Sequence, residues 1–203
     1  GYIINNNFYP PNYVYWKFFS DTINFDNLGV RGNVLFQSQN KQYLSNLSNT
    51  SFTSVKFNNP NGFHISGSVW IDSIILENGS ILGDTIRARI TTGGNINRYI
   101  NAHCAVSIIS LPFRTLFPFG LSNKFRPLEL YSENSGSNLQ IVANYIDSNE
   151  IGSSFNGIIK HAAKFMWSVN EIMNWTSGGT KLKFDFDNTY GIDDLSSLAI
   201  AGY

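Results

Sequence analysis

The sequence predicts an all-β fold: a two-sheet antiparallel sandwich of jelly-roll type, with one amphipathic α-helix near residues 154–174, in a single domain over residues 1–203. Three observations carry that expectation. Apolar and polar residues alternate with period two in many short runs. Clusters of Gly, Asn, Asp and Ser punctuate those runs. One segment alone spaces its apolar residues as a helix does.

The elements follow in chain order. In "YVYWKFFS" (13–20), Val14, Trp16 and Phe18 suit a core face, which leaves Tyr13 and Tyr15 outside, either to meet a ligand or to cover the next strand. "NVLFQS" (33–38) and "SFTSVKF" (51–57) read as further strands. In "GFHISGSVWIDSIILENGS" (62–80), Phe63, Ile65, Val69, Ile71 and Ile75 share one face while Trp70, Ile74 and Leu76 load the other, the pattern of a mid-sheet strand covered on both sides. Its closing "ENGS" reads as a hairpin turn, since Asn-Gly accepts the positive φ that tight hairpins need.

"DTIRARIT" (84–91) is the cleanest strand, with Ile86, Ala88 and Ile90 inward and Thr85, Arg87, Arg89 and Thr91 outward. "NINRYIN" (95–101) follows. In "NAHCAVSIISL" (101–111), neighbours on a strand point to opposite faces, so His103 and Cys104 are not a base beside its nucleophile, and Cys104 reads as a core residue. Pro112, Pro118 and Pro127 break "LPFRTLFPFGLSNKFRP" (111–127), because proline lacks the ladder donor. That stretch is expected to be a long crossover loop whose Phe113, Phe117 and Phe119 plug the sandwich end. "LELYS", "NLQIVANYI", "TKLKFDF" and "SLAIAGY" complete the strands.

The helix is expected in "SSFNGIIKHAAKFMWSVNEIMNW" (153–175). There Ile158, Ile159, Ala162, Phe165, Met166, Val169, Ile172 and Met173 form a stripe, with Lys160, Lys164 and Glu171 outside it. Ser153 or Ser154 can cap its start, and "TSGGT" can stop it. No internal repeat of 20 to 50 residues is visible.

Charge narrows the function classes. Fourteen basic and fourteen acidic side chains cancel, and only 14% of residues are charged, so no broad field exists to gather polyanions and no nucleic-acid partner is expected. No apolar stretch approaches the ~20 residues that cross a bilayer, so no membrane insertion is expected. Three scattered histidines and one cysteine give no zinc spacing. A G-x-S-x-G elbow is absent, and "ITTGG" lacks the spacing and lysine of a phosphate loop. Neither an enzyme nor a cofactor is expected. "FDFDNTYGIDDLSS" partly echoes a calcium loop through Asp185, Asp187 and Asp193. Its glycine falls late and no glutamate closes it, so it reads as a hairpin loop with solvated carboxylates, no bound metal is expected, and the calcium reading stays open.

What remains is surface chemistry. The chain holds 26 Asn, 23 Ser and 30 aromatic residues. Such a surface suits neutral, hydroxyl-rich ligands met through hydrogen bonds and ring faces, although an AT-rich genome yields the same bias. The candidate ligand-binding rings are Tyr13, Tyr15, Trp70, Trp175 and Tyr190.

A neutral, Asn/Ser/Gly-rich, strand-dominated chain that ends on the strand "LSSLAIAGY" resembles the distal tip domains of phage tail fibres and receptor-binding proteins. The likeness is one of texture over the whole chain and rests on no motif. It implies a homotrimeric tip, virion-borne or extracellular, that grips a cell-surface glycan or a membrane-protein receptor without catalysis. Two alternatives use the same residues differently. One is a structural virion protein such as a decoration, jelly-roll capsid or fibre-connector subunit. The other is a carbohydrate-active hydrolase or esterase built on paired carboxylates.

Overall fold

The computed structural model describes residues 15–26, 31–47, 50–101, 105–109, 114–121, 124–132, 140–147, 165–173 and 180–184. These residues form sixteen strands and no α-helix. The first nine are β1 (Tyr15–Phe18), β2 (Thr22–Asn24), β3 (Arg31–Phe36), β4 (Gln42–Ser45), β5 (Ser51–Asn58), β6 (Phe63–Asn78), β7 (Ile81–Gly93), β8 (Ile100–Asn101) and β9 (Ala105–Ile109). The rest are β10 (Arg114–Phe117), β11 (Phe119–Leu121), β12 (Lys124–Phe125), β13 (Leu128–Ser132), β14 (Gln140–Asp147), β15 (Phe165–Met173) and β16 (Thr180–Phe184).

Parallel pairing at a short, repeating separation decides the architecture. Tyr15 pairs with Asn33, Asn33 with Ser54, Ser54 with Ser73 and Ser73 with Ile90, steps of 18, 21, 19 and 17 residues. A second column runs from Gln42 to Phe63, Ile81, Ile100 and Phe119, in steps of 21, 18, 19 and 19. Parallel neighbours so close in sequence mean that the chain circles once and stacks on its previous turn. This is the arrangement of a β-solenoid.

β6 and β7 each make nearly one whole turn. Residues 63–65 lie on one side, 68–71 on a second and 74–78 on a third, and 81–83, 85–88 and 91–93 stack on them in order. The first bend falls at the register break before Ser68, where Gly67 takes φ +86°. At the second, the buried Ile71 and Ile74 flank two successive partly exposed residues, Asp72 and Ser73, which ends the strict alternation.

Inward side chains stack in columns. Val34, Val55 and Ile74 align on one side, as do Phe36, Phe57 and Leu76, and all are buried. The Phe36 ring packs against Phe18, Phe25, Phe52 and Phe57 with centroids 5.5 to 6.2 Å apart. Each such buried side chain contributes roughly 1.5–3 kcal/mol, so every coil draws its stability from the coils above and below.

One corner carries its own ladder. Gln37 N–H donates to Phe18 O, Tyr43 to Asp21 O, Gln42 to Gly62 O, Phe63 to Ser80 O and Ile81 to Tyr99 O, at 2.7 to 3.1 Å. The buried amides of Gln42 and Asn59 extend it. Gln42 Nε2 donates to the Phe18 and Ser20 carbonyls, and Asn59 Nδ2 donates to Asn40 O and Gln42 Oε1. Coils close up here so tightly that a Cβ on Gly79 would lie 1.9 Å from Asn59 O.

Towards the C-terminal end, pairing turns antiparallel. β9 stacks parallel on β7 but pairs antiparallel with β14, which pairs antiparallel with β15, while β10, β13 and β16 form a separate three-stranded antiparallel sheet.

Four expectations are corrected. The two-sheet antiparallel sandwich is replaced by the solenoid, because alternation reports only one buried face, and each solenoid side also has one. The "ENGS" turn is no hairpin: Gly79 does take φ +78°, yet β6 and β7 on either side of it run parallel, so the turn is a coil corner. The helix near 154–174 is absent among the described residues. Phe165–Met173 is strand β15, paired antiparallel to β14 across a bulge at Ile141/Val142, while residues 154–164 and 174 lie outside the described residues. Partner availability outweighs helical spacing there, since Phe165, Trp167 and Val169 also alternate. The stretch 111–127 is not one long loop. It holds β10, β11 and β12, with Pro118 and Pro127 between strands and Phe117 and Phe119 buried and stacked at 5.9 Å. Phe113 and Pro112 lie outside the described residues.

Candidate functional site

Because consecutive coils are in register, outward side chains fall in rows along the solenoid axis, one coil apart at the ~4.8 Å strand spacing. Among the described residues, three rows carry aromatic rings. On the side built from residues 68–71, Arg31, Trp70 and Arg87 fall in one row, with the backbone of residue 51 in register between Arg31 and Trp70. Trp70 is half-buried between the inward Val69 and Ile71, and its indole N–H donates to Asp72 Oδ1 at 3.4 Å. Arg31 and Arg87 are exposed, and neither forms a hydrogen bond or ion pair among the described residues.

On the next side the row is Tyr15, Asn33, Ser54, Ser73. Tyr15 is half-buried. The Lys56 ammonium sits 4.7 Å from its ring centroid and 3.5 Å from the Glu77 carboxylate, and the phenol lies 3.5 Å from Ser54 Oγ. Neighbouring coils thus occupy much of this ring. On the side built from residues 63–65 the row is Thr22, Tyr43, His64, Leu82. Tyr43 is 47% exposed, meets the His64 ring edge-on at 5.8 Å, and has the Lys41 ammonium 5.9 Å from its centroid.

Of the five rings expected to bind ligand, Tyr15 and Trp70 are described, and they lie on different sides, so they do not converge on one site. Tyr13, Trp175 and Tyr190 lie outside the described residues, as do Asp185, Asp187 and Asp193 of the acidic loop and the His103–Cys104 pair. Sequence reading missed Tyr43. Its signal was the short alternation "QYLS", in which Gln42 and Leu44 are buried and Tyr43 is not. Gln42, polar and inward, obscured it.

Asp21 is tied into the structure. Ser38 Oγ–H and Asn40 Nδ2 donate to the Asp21 carboxylate at 2.5 and 2.9 Å, and these bonds hold its pKa below the ordinary aspartate value. Among the described residues no three His, Cys, Asp or Glu side chains gather closely enough to hold a metal ion. No helix among them is long and apolar enough to cross a membrane.

The fold and its rows define a class: a β-solenoid whose sides bear axial rows of rings and polar groups. No protein-family model, curated protein or solved structure matches the chain.

Proposed function

We infer that the chain is a non-enzymatic attachment module, virion-borne or extracellular, that grips a cell-surface glycan or a receptor through the outward rows of its solenoid. The observation that carries this reading is the exposed Tyr43 in register with His64 and beside Lys41. A linear polymer laid along the axis would meet equivalent positions coil after coil, stacking its apolar C–H faces on rings and bonding its hydroxyls to Asn and Ser side chains. Side chains set in separate rows on different sides favour contact over chemistry, since catalysis needs groups converging on one reacting atom. The reading includes assembly as a homotrimer and needs neither nucleic acid nor a cofactor.

A glycan array and a whole-cell binding assay test it. Binding that falls at least tenfold in Tyr43→Ala, with the fold intact by circular dichroism, supports the reading. No binding to any glycan or bacterial envelope refutes it, and light scattering that gives a monomer removes the trimer.

A further inference from the structure

We propose that the row Arg31–Trp70–Arg87 is a subsite for a carboxylate-bearing sugar, so that the ligand of this module is an acidic glycan. The inference rests on the attachment reading and adds the ligand's charge.

The row sets an indole between two exposed guanidinium groups on one side of the solenoid. Arg87 is the register partner of Trp70 on the following coil, and Arg31 lies two coils before Trp70, through Ser51. At the strand spacing the two arginines stand roughly 14 Å apart along the axis, with Trp70 about a third of the way from Arg87. Neither guanidinium has a carboxylate partner among the described residues, whereas Lys56 is engaged with Glu77 and the Tyr15 ring, and Lys41 with the Tyr43 ring. Asp72 fastens the indole N–H to its own strand, which fixes the ring's place in the row.

Each guanidinium presents a planar fork of donors that matches a carboxylate in two parallel hydrogen bonds. An indole offers the flat apolar face on which a pyranose stacks. Two forks spaced along the axis on either side of one ring suit a polymer carrying carboxylates at intervals, with an uncharged sugar face between them. A chain of zero net charge has no general field to draw polyanions, so the preference is confined to this row.

The test uses the full chain, immobilised, with alginate as the polyuronate probe and carboxyl-reduced alginate as its neutral counterpart. Binding to alginate at least tenfold tighter than to the reduced polymer is expected. Arg31→Ala and Arg87→Ala should each weaken alginate binding about tenfold, the loss of one charge-assisted pair. Arg87→Lys should recover part of that loss, and Lys41→Ala, on another side, should change it little. Rising salt should weaken alginate binding and leave any neutral-glycan binding unchanged. Equal binding to both polymers, or arginine variants that bind alginate as well as the parent, overturns the proposal. If neutral glycans bind and Tyr43→Ala abolishes it while the arginine variants do not, the attachment reading stands and this one falls. Absence of binding to every glycan overturns both. A DNA oligonucleotide bound as tightly, with the same arginine dependence, overturns the assignment to a sugar.

Discussion

Replacing Phe36 by alanine probes the stacked core at its most connected point. The ring is 1% exposed and lies against four others, Phe18, Phe25, Phe52 and Phe57, drawn from coils on both sides. Phe→Ala in a packed core costs roughly 3–5 kcal/mol, and four rigid neighbours collapse poorly into the gap, so about 4 kcal/mol is expected. That is a large share of the roughly 5–15 kcal/mol that holds a domain together. With a urea dependence of about 2 kcal/mol per molar, the midpoint should fall by about 2 M. Because each coil touches only its neighbours, hydrogen exchange should accelerate first in β1, β3 and β5 and least in β7. Phe19, 60% exposed and next to Phe18, is the control: Phe19→Ala should stay within about 0.5 kcal/mol. A Phe36→Ala protein within 1 kcal/mol of the parent, or exchange accelerated evenly through β7, would refute the stacked-coil account.

Gly79 and Gly67 share a left-handed backbone but differ in room, since a Cβ on Gly79 meets Asn59 O while one on Gly67 meets nothing within 4 Å. Gly79→Ala should therefore lower the Tm several-fold more than Gly67→Ala, whose cost is about 1 kcal/mol of backbone strain. Gln42→Leu removes the side-chain donor to the Ser20 carbonyl and leaves Phe18 O with the Gln37 N–H alone, and should cost about 2 kcal/mol in urea titration, where a change below 0.5 kcal/mol would show the corner ladder to be incidental. Asp21 has its folded-state pKa lowered by Ser38 and Asn40, so its carboxylate stabilises the fold above the ordinary aspartate range, and that contribution fades as the pH falls through the folded pKa. Asp21→Asn should flatten the acid limb of the Tm–pH curve below pH 4, and an unchanged limb would show that the bonds to Asp21 do not matter.

Strand content was legible in the sequence and strand partnership was not. Alternation in 84–91 correctly placed Ile86 and Ala88 inward and Arg87 outward, because the pleat sets that locally. Trp16 and Phe18 likewise pack on the core with Tyr15 outside. Whether the next strand returns antiparallel or circles to stack in parallel depends on two or three corner residues, and Asn78-Gly79 serves a hairpin and a coil corner equally well. The repeat is not legible in the sequence because its steps vary from 17 to 21 residues and the stacked positions share burial rather than identity: Phe36, Phe57 and Leu76 form one column. Ile74 and Ile75 exchange the faces expected of them, Ile74 being buried and Ile75 partly exposed, since the bend at Asp72–Ser73 shifts the alternation by one. The outward rows were invisible for the same reason. Arg31, Trp70 and Arg87 are scattered in sequence and become neighbours only once the coils are stacked.

The most direct measurement is a methyl–methyl NOE map on protein labelled at valine and isoleucine methyl groups. Val34, Val55 and Ile74 occupy one inward column on successive coils, so strong cross-peaks should link Val34 to Val55 and Val55 to Ile74, and Ile71 should see none from Val34. Cross-peaks joining these methyls in antiparallel order, or none between Val34 and Val55, would contradict the solenoid and every row built on it.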